Sequence, residues 1–225
     1  MEFLTEGIEK GGFFVWPIFL CGLVGVTIAI ERIFFIFSRA SVHAPAFMAA
    51  VQRNILDGNV DAALRYCNAE PAASLPRIVK AALLRADRPD PEIRDAIEEA
   101  TLEVTPEVTR RLGYLPMIAN VTTLLGLLGT IEGLILSFHA VGEAAADARS
   151  AALSEGIAVA MYATFFGLVV AIPLLVVHSV IAARANQLLD DVDLYGMRVL
   201  NLLNALRGDA APKGSSTPVL PFPGR

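Results

Sequence analysis

Three long apolar stretches separated by polar chain set the pattern of this sequence. The first runs from Phe13 to Ile30 without a charged residue. Its 18 residues sit near the lower limit for a helix crossing roughly 30 Å of hydrocarbon. After the Glu31-Arg32 pair the chain turns apolar again through Ile33, Phe34, Phe35, Ile36 and Phe37. The helix is therefore predicted to continue past the pair, with Arg32 snorkelling to the headgroups. A cleaved signal peptide is the competing reading of this stretch. It fails because the leader is acidic (Glu2, Glu6 and Glu9 against Lys10) and no small-residue cleavage site follows. The second stretch runs from Leu112 to Gly142, interrupted by Glu132 and, near its end, His139. The third runs from Gly156 to Ala183 and contains His178. At about 1.5 Å per residue, both exceed what a crossing needs, so they reach past the bilayer or tilt.

Between the first two stretches, residues 41–111 read as short helices. Asp57-Gly58-Asn59 and Asp87 to Pro91 are turn signals, and Pro71 and Pro76 bracket a break. Ile78, Val79, Ala82 and Leu83 repeat at helical spacing. Ile93, Ile97, Ala100, Leu102 and Val104 start a helix leading to the second span, with Pro106 and Pro116 as kinks or helix starts on the way. After the third stretch, Leu188, Leu189, Val192, Tyr195, Val199, Leu202, Leu203 and Leu206 continue an amphipathic helix. From Gly208 onward Gly, Ser and Pro dominate, which predicts disorder. No alternating strand pattern emerges. The fold class is an all-α membrane protein with three transmembrane helices and long cytoplasmic helical extensions.

Composition agrees with that reading. Hydrophobic residues make up 55% of the 225 and charged residues 18%, against about a quarter charged in soluble domains. The net charge of -5 and the absence of a basic stripe give no reason to expect nucleic acid as a partner. Basic residues fix the orientation: ten Arg and Lys lie between Arg39 and Arg111, only Arg149 between Glu143 and Glu155, and five after Ala183. Their excess places the long loop and the C-terminus in the cytoplasm, with Arg39, Arg110 and Arg111 weighing most. The predicted order is a periplasmic segment (1–12), transmembrane helix 1 (13–37), a cytoplasmic helical domain (38–111), transmembrane helix 2 (112–142), a short periplasmic loop (143–155), transmembrane helix 3 (156–183), a cytoplasmic helix (184–207) and a disordered tail (208–225). Cys21 lies in an apolar run and Cys67 in a polar segment, so they read as two unpaired thiols, and no metal spacing is present.

Polar residues inside spans are costly and usually face protein or water. Thr123, Thr130 and Ser137 recur every seven residues and are predicted to share a face of the second span. Gly126, Gly129 and Gly133 lie on the same span, and Gly129-x-x-x-Gly133 permits close helix contact. Glu132 and His139 are also seven apart, on a different face. In the third span Thr164 sits among small residues, and Pro173 should kink the helix or loosen its ladder. Each has a plainer reading: a threonine bonded back to its own helix, a glycine pair for packing, a carboxylate paired across subunits, interfacial histidines at 139 and 178.

Two of these stretches carry a family resemblance. LLGLLGTIEGLILSF (124–138) is similar to the GLxGTVxG signature of the ExbB/TolQ/MotA family, and GIAVAMYATFFGLVVAIP (156–173) to its GIAxALxATxxGLxxAIP signature. The Ile30-Glu31-Arg32 end of the first span and the GNVDAALRYC stretch (58–67) also fit, so the chain most resembles the three-span ExbB/TolQ branch over roughly residues 13–205. The resemblance implies a homo-oligomeric, pentameric ring in the bacterial inner membrane. The ring would surround a dimeric single-span ExbD/TolR/MotB-like partner with an Asp in its transmembrane helix. Protons as coupling ion, with no other cofactor, would drive work on a TonB/TolA-like protein. That work would serve TonB-dependent uptake, Tol-type envelope maintenance or gliding motility, and membrane lipid surrounds the ring. By motif position Thr130 and Thr164 match the family's two pore-facing threonines. The sequence departs from the pattern at Val159, where ExbB-type proteins often carry Glu, and at Glu132, where Trp is common. A carboxylate relocated to the second span is the expectation this raises. A stand-alone channel or carrier and a structural membrane anchor are the alternatives. A membrane enzyme lacks support, since no nucleophile–base pair, HExxH or metal cluster is present.

Overall fold

The computed structural model describes residues 12–40, 42–143, 145 and 147–210, without the side chains of Arg39 and residues 208–210. Most of the predicted N-terminal segment (1–11), two residues of the short loop (144 and 146) and the tail from 211 lie outside the described residues. All regular structure among the described residues is helical: α1 (Val15–Phe34) with a π-helical turn (Phe35–Arg39), α2 (Ala44–Leu56), α3 (Val60–Ala69), α4 (Ser74–Leu84), α5 (Asp90–Thr109), α6 (Tyr114–Glu143) and α7 (Arg149–Ala210). Three helical stretches are long and apolar enough to cross a membrane, and they contain α1, α6 and the first part of α7. The protein is thus an all-α, multi-pass membrane protein. α7 begins at Arg149, ahead of the expected 156, and runs unbroken through Pro173 to Ala210. Within a span, neighbouring helices and local adjustment re-satisfy the backbone groups that a proline frees.

The chain forms two compact units. In the first, residues up to Arg39 and Ala40 join residues 103–189. α1 meets α7 through its small residues: a Cβ at Gly22 would fall 2.9 Å from Val170 Cγ1, and one at Gly25 would fall 2.7 Å from Leu174 Cδ1 and 3.4 Å from Ile118 Cγ2. Val15, Ile18 and Phe166 form a buried cluster flanked by Leu125, Tyr162 and Val170. The opposite faces stay apolar and exposed, through Trp16, Leu20, Leu23 and Ile30 on α1 and Leu124, Ile135 and Phe138 on α6. So much uncovered apolar surface suits contact with lipid or a partner rather than water.

One sequence expectation needs correction here. Arg32 does not snorkel. It is 4% exposed, donating to Glu31 Oε1 at 2.9 Å and to the Glu107 carbonyl at 3.2 Å, and stacking over the Phe35 ring at 5.0 Å. A guanidinium with planar donors and a weakly hydrated face tolerates such a site where a lysine would not. The helix from Ile93 leads to the second span through a break, and the new helix starts at Tyr114, two residues before Pro116. α5 stops at Thr109 and a turn intervenes, carried by Arg111 at φ +62°. That left-handed backbone costs a non-glycine residue roughly 1–2 kcal/mol, offset by a 2.6 Å bond from Arg111 to Glu31 Oε2.

The second unit comprises residues 42–102 and the end of α7 from Asp190. Its core gathers Phe47, Val51, Ile55, Val79, Ile93, Tyr195, Val199 and Leu203. Gly58 at φ +72° makes the turn that Asp57-Gly58-Asn59 predicts. The Asn59 side chain then caps α3 by accepting from Ala62 N at 2.9 Å. At the start of α5, Asp90 accepts from Asn204 at 2.7 Å and pairs with Arg207 at 3.7 Å, tying the end of α7 to that helix. Cys67 is buried, and both cysteines are unpaired.

Candidate functional site

The two signature stretches meet along one seam. α6 and α7 run antiparallel within the first unit, and their contact is built from residues with little or no side chain. A Cβ at Gly126 would stand 3.1 Å from the Ala163 carbonyl and 3.3 Å from Thr164 Cα. At Gly129 it would meet Ala163 Cβ at 2.5 Å, and at Gly133 the Ala160 backbone nitrogen at 2.8 Å. From the other side, a Cβ at Gly167 would approach the Thr122 carbonyl at 3.1 Å, and one at Gly156 would collide with Ser137 Oγ. Backbone lies against backbone along this line, which is how small residues let membrane helices associate without a hydrophobic drive between them.

Thr164 sits inside the seam. It is partly buried, and its hydroxyl donates to the Gly126 carbonyl across the helix pair at 3.3 Å. Thr130, also partly buried, lies one turn along α6 from Gly126. Its hydroxyl donates to Leu127 O in its own helix at 2.6 Å. Thr123 is exposed and donates to Ala119 O at 3.0 Å. Ser137 is buried, donates to Gly133 O at 2.7 Å and fits against Gly156. The seven-residue stripe therefore does not share one environment. A straight α-helix drifts about 20° per heptad, so two heptads turn the stripe from an exposed face into the α6–α7 contact. Thr122, one residue from the stripe, is the fully buried hydroxyl at that end, bonded to Ile118 O at 2.7 Å.

Glu132 leaves the seam on another side. It is partly buried, and its Oε2 comes within 3.7 Å of the Cβ position of Gly12, just ahead of α1. Val159 Cγ1 lies 3.3 Å from that same position. Residues 132 and 159, on different helices, thus border one point at the start of α1. His139 is exposed and lies 3.6 Å from Glu143. Pro173 is exposed and lines an apolar cavity of about 560 Å³ with Gly22, Val26 and Leu174, away from the α6–α7 glycines. Among the described residues no group of His, Cys, Asp and Glu is placed to hold a metal ion.

Sequence reasoning missed the α7 half of the seam. Gly156, Ala160, Ala163 and Gly167 recur at spacings of four and three, a small-residue stripe at helical period that could have marked it. Arg32 was missed as a buried group because one of its partners, the Glu107 carbonyl, lies 75 residues away in sequence.

Comparison with known proteins follows the same two stretches. The family model of the MotA/TolQ/ExbB proton channel family matches residues 70–193. The chain is 32% identical over 191 residues to a putative biopolymer transport protein ExbB homolog of Methanothermobacter thermautotrophicus, covering 85% of this chain and 67% of that protein. It is 30% identical over 176 residues to the biopolymer transport protein exbB1 of Vibrio cholerae, covering 77% and 76%. It is also 30% identical over 108 residues to the Tol-Pal system protein TolQ of Haemophilus influenzae, covering 47% of each.

Proposed function

The chain belongs to the MotA/TolQ/ExbB proton channel family, and from that premise we propose that it is the ring-forming subunit of a proton-driven motor in the bacterial inner membrane. Several copies, five by analogy, surround a dimer of a single-span ExbD/TolR/MotB-like protein whose transmembrane Asp takes and releases protons. Proton flow turns or rearranges that partner against the ring, and the work passes to a TonB/TolA-like or other envelope protein. The N-terminus faces the periplasm and the C-terminus the cytoplasm, as the basic residues favour.

The observation that carries this reading is the α6–α7 seam. It joins both signature stretches and holds Thr164 by an interhelical hydroxyl bond, with Thr130 a turn away. A hydroxyl that donates to a carbonyl still has lone pairs to accept from water or a protonated carboxyl. Thr130 and Thr164 are the residues assigned to the proton pathway. Glu132 is the candidate ring-borne carboxylate. Its approach to Gly12 beside Val159 supports a relocated group, because residues 132 and 159 border the same point.

One observation favours the plainer reading of a structural anchor: Thr130 bonds back to its own helix. The two readings separate on variants. In cells, proton-gradient-dependent function is measured for Thr130→Ala, Thr164→Ala and Glu132→Gln, with complex recovery monitored in parallel. The motor reading expects loss of coupled function with the complex retained. Wild-type function in all three, with intact assembly, supports the anchor and removes the pathway assignment.

A further inference from the structure

We propose that the elbow between α5 and α6 binds the phosphate of an anionic phospholipid. An open cavity of about 620 Å³ lies there, lined by Arg110, Arg111, Gly113, Tyr114 and Met117. Both arginines are exposed. Among the described residues the Arg110 guanidinium has no hydrogen-bond or ion-pair partner, whereas Glu31 is already engaged by Arg32 and Arg111. Arg111 gives Nη1 to Glu31, and its guanidinium has five N–H donors in all, so donors remain for a second anion. Planar forks of this kind are matched to phosphate oxygens.

The other wall is apolar. Tyr114 and Met117 are each 53% exposed and form the first turn of the apolar helix α6. Tyrosine at such a boundary places its ring at headgroup level. Gly113 leaves the floor open, since a Cβ there would meet nothing within 4 Å. A cationic wall beside an apolar one at the end of a span suits a lipid headgroup whose chains run along α6. A free phosphate would leave the apolar wall unused.

The test uses the purified full chain in detergent and native mass spectrometry. Phosphatidylglycerol, phosphatidylcholine with the same acyl chains, and tailless glycerol phosphate are added separately. Wild type is expected to retain phosphatidylglycerol over phosphatidylcholine and to ignore glycerol phosphate. Arg110→Gln, which removes an exposed and unpaired charge, should weaken phosphatidylglycerol binding about fivefold, the worth of one basic residue at an anionic surface. Gly113→Leu keeps both arginines but fills the cavity, and should weaken it comparably while circular dichroism shows unchanged helix. Equal retention of the two lipids by wild type overturns the proposal, as does wild-type binding by either variant. Glycerol phosphate bound as tightly as the lipid overturns the assignment to a lipid.

Discussion

Exchanging a methyl group across the α6–α7 seam should show that the seam is sterically saturated. In Gly129→Ala the new Cβ would stand 2.5 Å from Ala163 Cβ, where carbon atoms normally rest about 3.5–4.0 Å apart. The helices must part by about 1 Å, and overpacking of this sort costs about 1–3 kcal/mol. Better helix propensity returns at most about 1 kcal/mol, so the net effect is destabilisation by about 1–2 kcal/mol. Ala163→Gly alone loses the van der Waals contacts of one methyl and about 1 kcal/mol of propensity. In the double variant the methyl has only changed sides. The next neighbours of the new Cβ are Phe14 Cβ at 3.4 Å and Ala163 Cα at 3.9 Å, ordinary contacts both. Its stability should return to within about 1 kcal/mol of wild type, a coupling of about 2 kcal/mol between the sites. Gly142→Ala, on the same helix with nothing within 4 Å, should be neutral or slightly stabilising. Unfolding midpoints of the purified protein in mixed micelles, followed by circular dichroism, give all four values. Additive losses in the double variant, or damage at Gly142 equal to that at Gly129, would refute the saturated seam.

Three further outcomes follow from named contacts. Arg32→Gln should destabilise by about 2–3 kcal/mol through lost charge-assisted bonds, and Arg32→Lys should not restore it, because one ammonium cannot bond Glu31 and the Glu107 carbonyl while stacking on Phe35; the same unfolding midpoints check this. Thr164→Val should change stability by only about 0.6 kcal/mol, the usual worth of a hydrogen bond between membrane helices, while abolishing proton-coupled function that Thr164→Ser keeps. Burial pushes the Cys67 thiol up to about 11 from 9.0. The folded state therefore favours the protonated thiol, and stability that is complete below pH 9 is lost as pH rises through 11. Alkylation of Cys67 in the folded protein should keep rising with pH beyond 9, and a plateau near 9 would contradict its burial.

The apolar runs made the three spans legible, because a bilayer imposes length and apolarity directly on sequence. Gly126, Gly129 and Gly133 were legible as close-contact positions for the same reason that GxxxG patterns are: only a missing side chain lets two backbones meet. The partner stripe on α7 was equally periodic, but its alanines pass as ordinary helix formers among Ile, Val and Leu. The threonine stripe misled because a seven-residue repeat is not a whole number of α-helical turns, so Thr123 ends exposed and Ser137 buried. Arg32 misled because snorkelling is the default for a lone span-end arginine, whereas its guanidinium turns inward to the Glu107 carbonyl, far off in sequence. Long-range pairing of that kind leaves no local periodicity.

The most direct test is to purify the tagged chain from its native membrane and measure the mass and composition of what accompanies it. A motor subunit should emerge as a ring of several copies enclosing a single-span protein with an aspartate in its transmembrane helix. Recovery of the chain alone, in a form that conducts protons without any such partner, would contradict the assignment.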